Sequence, residues 1–409
     1  MIDLTALRKN PEQFKQDIAK KDPSYNISLL IDLDIEFRKL SVEVEQLRKE
    51  KNDLAKSVQG PISQDVRNRS IEIGKSLKEK EALLVELEKK FTLHYLSCPN
   101  VMYNEVPHGN KPENKEVRNF GKKPTFDFEI KDHVTLGNAL GWFDFPAATK
   151  IAGSNFALYK GDAVRLMYGL THLMIKTNVK HGFELILPPY MANTKSLEGS
   201  GQLPKFADGV YKIEGEDLYM IPTAEVPLLN YYRDTIFESH DLPKRLTSWT
   251  GCFRREAGTY GSAERGLIRI HQFEKVELVS FTKPQDSQDE LERMVACGEE
   301  ILKALGLHYR IMLLAAQDSG IASAKTYDLE VWMPGQNSYY EVSSASNCTD
   351  YQARRAKVRY RADDGKNEYL HTLNASSLAL PRLMVALMET YQQKDGSIKL
   401  PDILLQQGW

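Results

Sequence analysis

Residues 250–279, TGCFRREAGTYGSAERGLIRIHQFEKVELV, decide how this chain is read. Arg254, Arg255, Glu256, Arg265, Arg269 and Glu277 stand in one stretch, around Gly258 and Gly261. The pattern predicts two strands joined by a loop, with the glycines as turn residues. A merely solvated hairpin does not account for it. Arginine follows CysPhe before the loop and glutamate sits inside LysValGluLeuVal after it, so charge occupies apolar alternation and faces something polar that needs pairing. Guanidinium groups on adjacent strands make a rigid fork for phosphate oxygens, and a nearby carboxylate can hold an ammonium or an adenine amino group. The ligands implied are a nucleotide and an amino acid together.

A chain of 409 residues exceeds what one hydrophobic core usually supports, so two domains are expected. Hydrophobic residues at 42% and charged residues at 27% fit a globular protein. No apolar run approaches a membrane span, and the first twenty residues lack the apolar core of a signal peptide, so a cytoplasmic location is expected, or an organelle matrix after removal of a presequence. Cys98, Cys252, Cys297 and Cys348 include no pair at zinc-ligand spacing, so no zinc is expected. A net charge of −2 requires any nucleic-acid partner to be held by a local basic patch.

Such a patch lies in the first hundred residues. From Asn26 to about Leu96 turn residues are few, and two helices are predicted. Leu30, Leu33, Phe37, Leu40, Val44, Leu47, Leu54 and Val58 form one apolar seam, and Ile73, Leu77, Leu84, Leu87 and Phe91 form the other. GlyProIleSerGln at 60–64 separates them, with Ser63 or Asp65 as N-cap. One seam each and a short link predict an antiparallel coiled coil. Between Arg48 and Lys80 nine Lys or Arg face five acids, so the tip is positive by four, with Arg67, Arg69, Lys75 and Lys78 as the RNA-contacting candidates. Residues 1–25 are predicted as one short helix, with Asn10 and Pro11 at a turn.

A polar, Pro- and Asn-rich stretch follows Cys98 and Pro99. The expected organisation is 1–98 for the helical arm, 99–120 for a linker and 121–409 for a second domain. In that domain Lys131–Leu140 and Lys160–His181 look helical, and seven short segments beginning with GluLeuIleLeuProPro at 184 look like strands. Too few helices separate them for a doubly wound parallel sheet, so the expected class is α+β, a mixed, mostly antiparallel sheet flanked by helices. GxGxxG and GxxxxGKS loops are absent from the sequence.

Three further segments carry chemistry. ProThrAlaGluValPro at 222–227 sets Thr223 and Glu225 on one face if it is a strand, or makes Thr223 the cap of a helix running through Tyr232. In the segment 335–355 Glu341 and Ser343 share a strand face, with Ser344 adjacent, before a helix ending in Arg354 and Arg355. In 371–392 a strand carrying Ser376 turns into an amphipathic helix whose first turn holds Pro381 and Arg382.

These segments, in this order, resemble the signature motifs of class II aminoacyl-tRNA synthetases, in the form found in seryl-tRNA synthetases; the resemblance covers almost the whole chain, arm included. It implies a class II catalytic domain over 121–409 that activates L-serine with ATP as seryl-adenylate and pyrophosphate, then transfers serine to the 3′-terminal adenosine of tRNA(Ser), with tRNA(Sec) as a further acceptor. Implied for serine are Thr223, Glu225, Arg254, Glu277 and Ser376, with Glu277 holding the ammonium group. Implied for ATP are Arg254, Arg255, Glu256, Arg269, Glu341, Val342, Ser343, Ser344 and Arg382. Arg254, Glu256 and Arg382 carry catalysis, and Glu341 with Ser344 would hold Mg²⁺ against the phosphates. HisGlyPheGluLeuIleLeuProProTyrMet at 181–191 resembles the first motif, which implies a homodimer with Pro189 at its interface. The family usually shows glycine where this chain has Ala375, Ser377 and Pro381, and these departures sustain a rival reading, a catalytically inactive synthetase-like RNA-binding protein. Relatives that load a carrier protein instead lack the arm and use zinc, as the family implies.

Overall fold

The structure, a computed structural model, describes residues 1–57, 60–256 and 266–405. Val58, Gly258, Gly261 and Arg265 lie outside the described residues. The chain divides into two compact units, one of residues 3–99 and one of residues 1–2 with 100–409.

In the smaller unit α1 (Leu4–Lys9) and α2 (Pro11–Lys21) replace the single helix expected. Asn10 ends one and precedes the other, and Pro11 starts the second where its missing N–H is harmless. Helices α3 (Ile27–Ser57) and α4 (Gln64–Ser97) pair along the expected seams. Phe37 stacks on Phe91 at 5.4 Å between centroids, and Ser63 caps α4 by accepting from the Val66 N–H. At ~1.5 Å per residue each helix is about 45–50 Å long. Lys80, a break in the apolar pattern, reaches Glu43 on the facing helix at 2.5 Å, and Arg48 meets Glu81 at 2.7 Å. Arg67, Lys75 and Lys78 are exposed; Arg69 is exposed too but pairs with Glu50 and Glu72.

The larger unit holds α5 (His133–Leu140), α6 (Phe145–Ala152), α7 (Asp162–Lys180), α8 (Thr194–Ser200), α9 (Glu225–Tyr231), α10 (Ser287–Ala304), α11 (Tyr351–Ala356), α12 (Leu380–Thr390) and α13 (Asp402–Leu405). Its strands are β1 (Lys115–Phe120), β2 (Glu184–Leu185), β3 (Met191–Ala192), β4 (Tyr219–Met220), β5 (Ile236–Glu238), β6 (Lys244–Phe253), β7 (Gln272–Thr282), β8 (Tyr309–Leu313), β9 (Lys325–Met333), β10 (Ser338–Asn347), β11 (Arg359–Arg361), β12 (Asn367–Tyr369) and β13 (His371–Ala379). Eight form the main sheet in the order β1-β8-β9-β10-β13-β7-β6-β2. Every pair is antiparallel except β2 with β6. Strand β1, within the stretch expected to be linker, is the edge of this sheet; its mostly exposed polar residues give it no alternation to be seen by.

One face of the sheet is buried under α7, α10 and α12. Leu166, Met174, Leu291, Ile301, Leu383 and Leu387 pack there against Val276, Leu278, Leu329, Val331, Leu373 and Ala375 in one core. Period-2 alternation then turns Lys275 and Glu277, Asn374 and Ser376, and Asp328 and Glu330 to the opposite face. That polar face carries the site.

Candidate functional site

Two strand pairs build the floor. On β6 and β7 Thr250 pairs with Lys275 and Ser248 with Glu277, and on β13 Ser376 lies opposite Glu277. Two β-bulges re-aim side chains here. The register of β10 against β9 shifts between Glu341 and Ser343, so Val342 and Ala345 both enter the core while Glu341 and Ser344 line the open face. The shift corrects the expectation for Ser343: its side chain is buried and its hydroxyl donates to the Ser376 carbonyl rather than lining the cavity. On β13 the register shifts between Ser376 and Leu378, and Ser377 turns inward to donate to Asn178 of α7 at 3.2 Å.

Over this floor lie two cavities that share Arg254, Glu256, Arg269, Lys275, Glu341 and Ser376. The smaller, about 220 Å³, is also lined by Ile268, Phe273, Val342, Pro381 and Arg382. The larger, about 620 Å³, adds Thr223, Glu225, Glu277, Ser344 and Asn374. Eleven of the expected residues therefore meet: Thr223, Glu225, Arg254, Glu256, Arg269, Glu277, Glu341, Val342, Ser344, Ser376 and Arg382. Arg255 does not; it is exposed and lines neither cavity. Both lie beyond the end of β6, where the Arg255 N–H donates to the Gly209 carbonyl at 2.9 Å.

In the larger cavity Thr223 and Glu225 are not on a strand. Glu225 opens α9 after the N-cap Ala224, and its N–H donates to Thr223 Oγ1 at 3.1 Å, so the segment follows the helical alternative with Thr223 just ahead of the cap rather than as the cap itself. The Thr223 hydroxyl donates to Glu277 Oε2 at 2.9 Å, and Lys275 donates to Thr223 Oγ1 at 3.0 Å and pairs with Glu277 Oε2. Glu277 is 1% exposed and Lys275 5%, so each is the charge partner that the other needs in the interior. Glu225 is half-buried, and its desolvation, with the Glu277 charge beside it, pushes its carboxyl up to about 7. Two carboxylates and a hydroxyl around one chamber are acceptors suited to a small ligand with an ammonium group.

In the smaller cavity Arg254 is fixed by donating Nε–H to the Pro222 carbonyl at 3.1 Å, with its guanidinium 5.1 Å from the Phe273 ring centroid. Glu256, in left-handed backbone at φ 45°, pairs with Arg269 at 2.6 Å. Arg382 projects from the first turn of α12, donating to the carbonyls of Ile268 at 3.2 Å and Glu341 at 2.7 Å. Three guanidinium groups and an aromatic face line one pocket, a set for a base and its phosphates.

Beside Glu341, Asp328 of β9 pairs in register with Ser344. Burial, reinforced by the Glu341 charge, pushes the Asp328 carboxyl well above its usual range, and its Oδ1 has no hydrogen-bond partner. Two carboxylates in mutual repulsion and a serine hydroxyl form an oxygen-only donor set for a hard divalent cation. Sequence reading passes over Lys275, Phe273, Asn374 and Asp328. A signal for Lys275 existed: at two residues from Glu277 it must share that strand face.

A separate surface surrounds the first motif. Leu185, Leu187, Tyr190 and Met191 are exposed at 51%, 74%, 42% and 49%, with Tyr168 at 59%, and Pro189 is exposed among them. Among the described residues no helix is long and apolar enough to cross a membrane.

Comparison with known proteins supplies independent findings. Residues 1–102 match the seryl-tRNA synthetase N-terminal domain, and residues 210–391 match the tRNA synthetase class II core domain (G, H, P, S and T). The chain is 44% identical over 412 residues to the serine–tRNA ligase of Hydrogenobaculum sp. (strain Y04AAS1), covering 99% of this chain and 98% of that one. Among solved structures, the seryl-tRNA synthetase of Pyrococcus horikoshii complexed with ATP superposes with a TM-score of 0.91 at 35% identity, covering 100% of this chain and 98% of that chain. The cytoplasmic serine–tRNA ligase of Naegleria fowleri in complex with AMP gives 0.82 at 28% identity, covering 97% and 94%.

Proposed function

The chain belongs to the seryl-tRNA synthetase family of class II aminoacyl-tRNA synthetases, and from that premise we propose how its own residues carry the reaction. It binds ATP and ligates serine to tRNA(Ser) with release of AMP and pyrophosphate. The inactive alternative has no support: the relatives are serine–tRNA ligases, Arg254, Glu256, Glu277, Glu341 and Arg382 all line the two cavities, and of the positions where the family usually has glycine only Pro381 lines a cavity. Ala375 and Ser377 point into the helix-packed core, not at the cavity.

The observation that carries the assignment is the joining of an acid-lined chamber to an arginine-lined one through Arg254. Serine would sit with its ammonium on Glu277 and its hydroxyl near Glu225 and Ser376. ATP would lie with its base between Phe273 and Arg382, its amino group on Glu256, and its α-phosphate on Arg254. The serine carboxylate is already ionised and attacks the α-phosphate in line, so orientation and charge neutralisation suffice without a general base. Glu341 and Ser344, with Asp328 behind them, fit Mg²⁺, which would draw charge from the phosphates as pyrophosphate leaves. Polar groups left unpaired by alanine would reject it on the order of 10⁴-fold. Serine-dependent exchange of labelled pyrophosphate into ATP tests this assignment; exchange driven better by another amino acid would refute it.

The acceptor RNA is proposed to lie along the basic tip of α3 and α4, with tRNA(Sec) as a second acceptor. A homodimer is proposed through the exposed apolar side chains around Leu187, Pro189 and Tyr190. Such a chain would work in the cytoplasm.

A further inference from the structure

Glu225 faces the larger cavity, yet its carboxylate is gripped from behind. The Gln352 amide donates one N–H to Glu225 Oε1 at 2.6 Å and the other to the Ser200 carbonyl at 2.9 Å, while its Oε1 accepts from the Thr372 hydroxyl at 2.8 Å. Gln352 is 1% exposed and Thr372 0%, so the amide has no water to turn toward. Two acceptors on one side and a donor on the other admit a single amide orientation, with both N–H donors used. Asn374 adds a second N–H to the same Glu225 oxygen at 3.1 Å. Oε1 is thereby saturated by protein donors, and Oε2 is left as the acceptor for a ligand.

We propose that Gln352, held by Ser200 and Thr372, is a positioning residue that aims the Glu225 carboxylate at the bound amino acid and keeps it ionised, and so sets serine recognition from outside the cavity. The proposal rests on the serine-activating reading of this chamber. Its elements come from three places, the end of α8, the start of α11 and β13, so the amide also ties the walls of the amino-acid chamber together. The charged groups facing Glu225 are Glu277 and Lys275 of β7 and Arg254 after β6. Glu277 opposes ionisation of Glu225, the two cations favour it, and the Gln352 donor adds to the cations.

Replacing the amide by Gln352→Met keeps length and burial but removes the donor. The serine KM in pyrophosphate exchange should then rise roughly tenfold at about pH 7, the size expected for one hydrogen bond to a charged group, with the ATP KM unchanged. The deficit should shrink toward about pH 9, because alkali ionises Glu225 without the donor's help. Thr372→Val retains the β-branched shape, frees only the far end of the amide, and should give a smaller change in the same direction; it carries the test if Gln352→Met does not fold. Serine and ATP KM rising together at every pH, or a folded Thr372→Val chain with wild-type serine KM and pH profile, would overturn the proposal. A wild-type chain without serine-dependent exchange would instead overturn the reading of the chamber on which it stands.

Discussion

Glu277→Gln is the sharpest perturbation of this site, because one oxygen of Glu277 serves Thr223 and Lys275 at once and the carboxylate is also assigned to the substrate ammonium. The change keeps shape and removes charge. Side-chain exposures of 7% for Lys275 and 2% for Glu277 mean that the remaining ammonium has little water to turn to. Stranding one partner of a buried pair costs about 3–5 kcal/mol. Loss of a hydrogen bond between charged groups costs the ligand about 1.5–3 kcal/mol, or roughly 10- to 150-fold in serine KM. The two effects separate in a cycle with Lys275→Met. Each single variant should unfold at lower urea, whereas the double variant, with no charge stranded, should recover most of the lost stability while its serine KM stays high. Urea midpoints and exchange kinetics on the four proteins read both quantities. A double variant as unstable as the sum of the singles, or a Glu277→Gln chain with serine KM within about threefold of wild type, would refute the reasoning.

Three other perturbations address separate parts of the account. With Glu225 held up at about 7, its ionised fraction grows as pH rises through that value, so serine KM should fall from pH 6 to pH 8 while ATP KM does not follow; a flat serine profile would count against an ionised Glu225 in recognition. Glu341→Gln should raise the Mg²⁺ concentration needed for half-maximal exchange by roughly tenfold or more, and an unchanged titration would remove Glu341 from the cation's shell. Neutralising Arg67, Arg69, Lys75 and Lys78 should weaken tRNA charging and lower the log–log salt slope by roughly three, Arg69 counting for less because Glu50 and Glu72 already engage it. Equal loss in tRNA-free exchange would sink that assignment.

How legible these features were in the sequence follows from their physics. The arm was readable because α3 and α4 repeat their seams over many turns, and the sheet because apolar alternation ran through β6, β7, β9 and β10. Charge inside that alternation located Arg254 and Glu277. Bulges were not readable: a single extra residue flips everything beyond it, which is why Ser344 faces the cavity and Ser343 does not. The same device turns Ser377 toward Asn178 of α7, while ordinary alternation with Leu373 already places Ala375 in the core. Gln352 and Asp328 act through neighbours distant in sequence, and only the paired strands and the docked α11 bring those neighbours together.

The central claim is that the acid-lined chamber takes serine and the arginine-lined one takes ATP, and exchange of labelled pyrophosphate into ATP tests it most directly, with alanine, threonine, cysteine and glycine as controls and no tRNA present. The account predicts strong exchange with serine and little with the others. Exchange absent with every amino acid in a folded chain, or strongest with any but serine, would contradict it.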